Sequence, residues 1–584
     1  MHAPARNARG VRSAPREPRT SRAIMLLLGA SFIIPLGIIL VLVASDVRLG
    51  QGYFEYRYSP IRGLRTMRAA PAVIIGAAAA GGVMLLCRRE RRRRLAGGAT
   101  LAAALVSAGV WIWFAPPAYA NQQMFNMTSP SSDGAFALEA RTIESLPRYL
   151  HDFPQHIRKS PAEMGGTRVL SNPPLTTVFA YAVRGNLPPL KSSGAAATQA
   201  TTQTAPATAT ATATTTATTS SGLAEASNPT GASGSATPAG PPTFLERWLV
   251  AEHQVMPEHA PYIAYALRVS ILLTVLWVLG GVAAYMLGRV YLAPPGAAVF
   301  AILVTFNPAT VHFVPGKDPG QLLSINLMLW AWLLAWKKRM PLLAALGGAF
   351  LSVGATAGLI HIWVALIAFA ATAWDAWRAR QITMLLVNAF AAGAGALAVI
   401  SAAYFVLDWN IPHTLVAVSQ RFSEVQVQHI LPKMNRYTWF AIGLPIFLLF
   451  LAPGIWTLAG LSVRRRRRRH VDFGTVLALC TVAIMLLIYV AMGVTYELPR
   501  LWVAFLPPLV LGLAIDNPLL HVRAPDTRAA RAVGERGGSG YEHRRVARAL
   551  ATIILVHVAF TTLHWTLFDT RETEYRLTSK RFYE

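Results

Sequence analysis

An apolar chain tolerates charge only where it meets water, a partner or a ligand. Three places in this sequence set charge against apolar stretches: Asp133, the pair Lys317-Asp318, and Glu497 with Arg500. A carboxylate so placed can act as general base toward a hydroxyl. A lysine and an arginine can hold a phosphate, the arginine through its planar, permanently charged fork. Each group also has an ordinary structural reading. Asp133 precedes a helix-like stretch at 135–150 and fits a helix N-cap. Lys317 and Asp318 lie in Val314-Pro315-Gly316-Lys317-Asp318-Pro319-Gly320-Gln321 and suit a tight turn in which they pair with each other. Glu497 and Arg500 suit an i, i+3 ion pair. Glu139, Glu144 and Asp152 are further carboxylates in the Asp133 segment, and spacing alone does not choose among them.

The elements that must position these groups are membrane helices. Of 584 residues 54% are hydrophobic and only 14% charged, the composition of a polytopic membrane protein. With about 20 residues per span, helices are predicted at 23–44, 70–87, 97–115, 265–289, 293–307, 321–336 and 341–357. Others are predicted at 360–374, 382–407, 437–461, 473–493, 501–515 and 548–567, giving an all-α bundle of about thirteen spans. The net charge of +27 sits largely in clusters such as Arg91 to Arg94 and Arg464 to Arg469, as the positive-inside rule expects of cytoplasmic loops. No aromatic-interleaved soluble domain accompanies these arginines, so a nucleic-acid partner is not expected. The same topology leaves the arginine-bearing loop 45–69 outside, against the rule.

The chain then divides into a basic cytoplasmic tail at 1–22, three spans within 23–115 and an outer loop at 116–190. A low-complexity Ala/Thr/Ser linker at 191–242 follows, too poor in apolar area to order itself, and then a transmembrane core at 243–515. A basic cytoplasmic loop at 516–547 and a last helix with an outer tail at 548–584 complete it. Phe136, Ile143, Leu146 and Leu150 recur at near-helical spacing, as in helices lying on a bilayer surface. The outer loop 408–436 offers His413, Arg421, Glu424, His429, Lys433 and Arg436, which read as a solvated face, and His361 stands near an outer turn. Cys87 and Cys480 form no disulfide or metal set. No spacing matches a metal site, a Walker loop or a dinucleotide fingerprint.

Three elements together resemble the GT-C-type integral-membrane glycosyltransferases. Tyr149-Leu150-His151-Asp152-Phe153-Pro154, leading to Ser171-Asn172-Pro173-Pro174-Leu175, is similar to a bacterial, mannosyltransferase-like branch that carries Thr-His-Pro-Pro-Gly. Here Asn172 stands for the His and Leu175 for the Gly. The connection around Lys317-Asp318 resembles the branch's Pro-x-x-Asp-Gln element, and Glu497-Leu498-Pro499-Arg500-Leu501-Trp502 its Glu-x-x-Arg-Leu-Trp element. The resemblance implies a multi-pass protein of a bacterial inner membrane with its active face extracytoplasmic. It implies a polyprenyl-phosphate sugar as donor and a carbohydrate, lipid or protein acceptor; it names no cofactor, and leaves room for a divalent cation. Asp133 would be the base and Arg500 with Lys317 would bind the donor phosphate, supported by Glu497, Asp318, Asn172 and Glu139. Many spans with charges and broken helices also suit a transporter or lipid flippase. A non-catalytic binder of lipid-linked sugar would fit the Asn172 and Leu175 departures.

Overall fold

The computed structural model describes residues 18–45, 47–49, 55–58, 64–88, 90–114, 133–159, 167–170, 172–185, 187, 241–253, 257, 260–425, 436–466, 472–491, 498–521 and 538–571. The linker assigned to 191–242 lies almost wholly outside them, as do Glu497, His429 and Lys433. Among the described residues the regular structure is helical apart from a small antiparallel sheet of Arg48–Leu49, Glu55–Tyr58 and Phe568–Arg571. That sheet ties the loop after the first helix to the end of the last one, so both lie at one end of the bundle.

Eight described helices are long and apolar enough to cross a membrane, nine if one bent pair counts as a span. They are Ala23–Ser45, Arg91–Trp111, Ala260–Tyr291, Ile360–Ala379, Ile382–Leu407, Phe473–Val490, Leu498–Ile515 and Arg544–Leu567. The protein is therefore a multi-pass membrane protein, but among the described residues the count of thirteen is not reached. Every predicted position holds a helix, yet several stop short. Pro294–Thr305 has 12 residues, about 18 Å at 1.5 Å per residue, against a hydrocarbon core of about 30 Å. Prolines at the first turns of this helix and of Pro341–Ala355 set where they begin.

The single span expected at 437–461 is two helices, Tyr437–Phe450 and Ala452–Val463, bent by 92°. Pro453 donates no amide proton and disfavours helical geometry in the residue before it. Ala452 accordingly takes φ 53°. The loop expected at 408–436 contains a helix, Ile411–Val425, and the last helix begins at Gly538, ten residues earlier than its apolar run. Close packing is strongest between Pro341–Ala355 and Ile382–Leu407. A Cβ on Gly348 would lie 1.8 Å from the Ala392 carbonyl oxygen, and one on Gly395 1.8 Å from that of Ala345.

Four short helices, α4 (Gly134–Thr142), α5 (Leu146–His156), α6 (Thr167–Leu170) and α7 (Leu175–Ala182), stand at one end of the bundle. Their apolar faces do not meet a bilayer surface. Phe136, Ile143, Leu150 and Phe153 are buried in a core of their own with Trp409, Ile411 and Val418, so the periodicity marks a protein–protein contact with Ile411–Val425. That core fixes the layer on which Asp133 is mounted. Tyr265, near the start of Ala260–Tyr291, holds it to the bundle by donating to the carbonyls of Ala137 at 3.1 Å and Ala180 at 3.2 Å.

Candidate functional site

Asp133 immediately precedes α4 but does not cap it: its side chain accepts nothing from the α4 amides. Its Oδ1 pairs with the Arg168 guanidinium, and its Oδ2 accepts the backbone amide of Lys317 at 2.7 Å. Only 2% of Asp133 is exposed. The N-cap reading is thus set aside by where the carboxylate points. Gly316 makes the approach feasible, since a Cβ there would sit 2.4 Å from the Phe313 carbonyl oxygen and 3.0 Å from Asp133 Oδ2.

The connection carrying Lys317 runs between Pro294–Thr305 and Leu322–Lys338 through two single-turn helices, Pro308–Val311 and Lys317–Gly320. Asn307 starts the first by accepting the Ala309 amide at 2.9 Å. Lys317 Nζ donates to Asn172 Oδ1 and lies 3.6 Å from Asp318 Oδ1. The turn pairing of Lys317 with Asp318 is therefore present, but as one link of a wider network. Asp318 Oδ2 also meets Arg500 Nε at 3.1 Å, and Gln321 Nε2 reaches Asp318 Oδ1 at 3.5 Å. Asn172 completes a loop by donating from Nδ2 to the Arg168 carbonyl at 2.7 Å.

Asp133, Arg168, Asn172, Lys317, Asp318 and Arg500 thus form one buried network drawn from four separate segments. Three cations face two carboxylates, leaving one net positive charge where water is scarce. Burial pushes the Asp318 carboxyl above its ordinary value; Lys317 and Arg168 oppose this and Asp133 reinforces it. A proton on Asp318 would raise the net charge further, the condition for attracting an anion.

The other carboxylates separate on burial. Glu144 is exposed, and Asp152 pairs at the surface with Arg148 at 3.7 Å. Glu139 is buried and pairs with His156 at 2.6 Å. Beside it the Tyr149 hydroxyl is held well above its usual pKa, by burial first and by the Glu139 charge second. Arg500 takes Asp318 as its ionic partner; an i, i+3 pair with Glu497 falls outside the described residues. His361 is fully buried and joins the edge of the site, its Nε2 2.7 Å from Ser324 Oγ. Arg421 pairs with Glu424 at 2.8 Å and His413 is exposed, so this part of the former loop remains a polar face.

Arg168 is the participant that the sequence did not single out. Among the described residues no group of three or more His, Cys, Asp or Glu could hold a metal ion. No family model and no curated protein matches the chain.

Proposed function

We propose that this protein is an integral-membrane glycosyltransferase of GT-C type that moves a sugar from a polyprenyl-phosphate carrier to an acceptor hydroxyl. The observation that supports this best is the meeting of Asp133 with Lys317 and Arg500 in one buried, net-positive network. A base and a phosphate grip are what such a transfer needs side by side. Asp133 takes the acceptor's hydroxyl proton, and the acceptor oxygen bonds the anomeric carbon. The bond from that carbon to the phosphate oxygen breaks, and its electron pair leaves with the polyprenyl phosphate. Lys317 and Arg500 stabilise the charge that gathers there. The acceptor hydroxyl enters at Oδ1, displacing Arg168 from its pairing. Inversion follows if donor and product anomers differ.

The active pole faces away from the cytoplasm of a bacterial inner membrane. Arg91 to Arg94, Lys337, Arg378 and Arg380 belong to helix ends remote from the network, which the positive-inside rule assigns to the cytoplasm. The test is sugar transfer by the purified protein in lipid from a panel of synthetic polyprenyl-phosphate sugars, beside a folded Asp133→Asn variant. Turnover lost only in the variant supports the reading. Consumption of no donor by either protein overturns it in favour of transport or lipid binding.

A further inference from the structure

At the opposite pole, three cations from distant parts of the sequence share one cavity. Arg94 opens Arg91–Phe114, Arg289 closes Ala260–Tyr291 and Lys337 closes Leu322–Lys338; together with Leu86, Tyr291 and Pro294 they line a cleft of about 310 Å³. None of the described residues lining it is acidic. Two of the cations, though exposed, are held at the rim by contacts with backbone carbonyls. Lys337 Nζ donates to the Val290 carbonyl and lies 5.0 Å from the centre of the Tyr291 ring, and Arg289 Nη1 donates to the Leu292 carbonyl at 2.8 Å. A guanidinium carries five donors, and the Leu292 bond uses one of them.

The cleft lies at membrane depth for a headgroup. Gly320, in the Lys317 turn, packs against Leu273 of the helix that ends near Arg289. Arg289 is sixteen residues further along that helix, about 24 Å at 1.5 Å per residue. The two charged poles therefore stand roughly one hydrocarbon thickness apart.

A second cavity tells what kind of anion the cleft suits. A slot of about 230 Å³, lined among others by Ile75, Gly98, Leu101, Ala104, Val282 and Ala301, lies one to three turns deeper between four helices that also border the cleft, Leu64–Leu86, Arg91–Phe114, Ala260–Tyr291 and Pro294–Thr305. Its lining is almost wholly apolar. A Cβ on Gly98 would meet nothing within 4 Å, so the slot is open at that point. A free phosphate or nucleotide has no use for such a slot, whereas a phospholipid has a chain to place in it.

We infer that this pole carries a specific site for an anionic phospholipid, with its phosphate among Arg94, Arg289 and Lys337 and one acyl chain in the slot beside Gly98. The site is independent of the transferase reading and lies on the other leaflet from it. Clustered cations beside membrane helices attract acidic lipid at about fivefold in affinity per residue. Native mass spectrometry of the full-length protein, delipidated and titrated with phosphatidylglycerol, measures the first binding step. Arg94→Gln with Arg289→Gln is expected to weaken that step by about 25-fold. Gly98→Leu, whose added Cβ meets no atom within 4 Å, is expected to weaken it as well. Arg378→Gln, at the same pole but away from the cleft, is expected to leave it unchanged. Phosphatidylcholine and glycerol 1-phosphate are expected not to displace the bound lipid. The inference is overturned if the double variant binds as the wild type does, or if Arg378→Gln weakens binding equally, which would show only a diffuse surface charge. Unaltered binding in Gly98→Leu removes the chain slot. Displacement by glycerol 1-phosphate at concentrations that match the lipid makes this a soluble-phosphate site instead.

Discussion

Replacing Asp133 by asparagine tests whether that carboxylate is a base or a strut, provided Arg168 is changed in parallel. In the wild type, Oδ1 meets Arg168 and Oδ2 accepts the Lys317 amide at 2.7 Å. Asparagine keeps one acceptor and turns the other position into a donor, which then faces either a guanidinium or an amide N–H. The Arg168 side chain, 13% exposed, loses this carboxylate while still buried. Removing one member of a buried pair costs about 3–5 kcal/mol, and loss of a general base slows turnover by about 10²–10⁴-fold. The single variant superposes the two effects. Arg168→Met in the Asp133→Asn background removes the cation that Asp133 balanced, so stability is expected to return to within about 2 kcal/mol of wild type, with strong non-additivity between the two sites. Turnover is expected to stay lost. Unfolding in lipid micelles and transfer from polyprenyl-phosphate sugars, measured on all four proteins, complete the cycle. If turnover returned with stability in the double variant, Asp133 would be a strut and the base would lie elsewhere. If Arg168→Met alone had wild-type stability, the buried pair would carry no such energy.

Gly316→Ala is expected to destabilise by about 1–3 kcal/mol and to depress activity, because the added Cβ falls 2.4 Å from the Phe313 carbonyl oxygen and drives the Lys317 amide off Asp133; unchanged unfolding would show that the turn yields freely. Glu139→Gln should cost about 1–3 kcal/mol of stability through its His156 contact yet leave turnover within about threefold, separating this buried carboxylate from Asp133. Arg500→Lys keeps the charge but loses the planar fork, so the KM for donor is expected to rise at least tenfold with a smaller change in kcat. The pH dependence has a fixed sign. Burial raises the Asp318 pKa above its ordinary 3.8, so the folded protein keeps a proton that the unfolded chain releases. That contribution to stability is complete below 3.8 and fades as pH rises through the raised value; Asp318→Asn should abolish this part of the unfolding profile.

What was legible in the sequence follows from what each signal measures. The helix at Ile382–Leu407 appears at its predicted bounds because a long apolar run between Arg380 and Asp408 admits one solution at membrane depth. Both flanking residues end a helix in left-handed geometry, Arg380 at φ 56° and Asp408 at φ 52°. The run at 437–461 is as apolar, but hydropathy does not register the backbone restriction that Pro453 imposes, and there one expected span became two helices. Periodicity at Phe136, Ile143 and Leu150 showed correctly that one face seeks apolar surroundings. It carries no information on whether lipid or protein supplies them, and Ile411–Val425 lay inside a stretch expected to be loop.

The site shows the same division. Asp133, Lys317, Asp318 and Arg500 were visible because each is a charge beside apolar sequence, where its cost demands a reason. Arg168 was invisible because it lies in a short mixed stretch, Thr167-Arg168-Val169-Leu170-Ser171, with no long apolar run beside it, and an arginine there costs nothing that can be read. Yet Arg168 holds the carboxylate in place, and Asn172, noticed only as a departure from a familiar pattern, joins Lys317 to the Arg168 backbone. A charge in a mixed stretch acquires meaning only once folding has buried it. Lys317 meets Asp133 across 184 residues of sequence, and no local pattern encodes that meeting. It is the tertiary packing of α4 through Tyr265 onto the bundle that brings the Asp133 layer over the Lys317 turn.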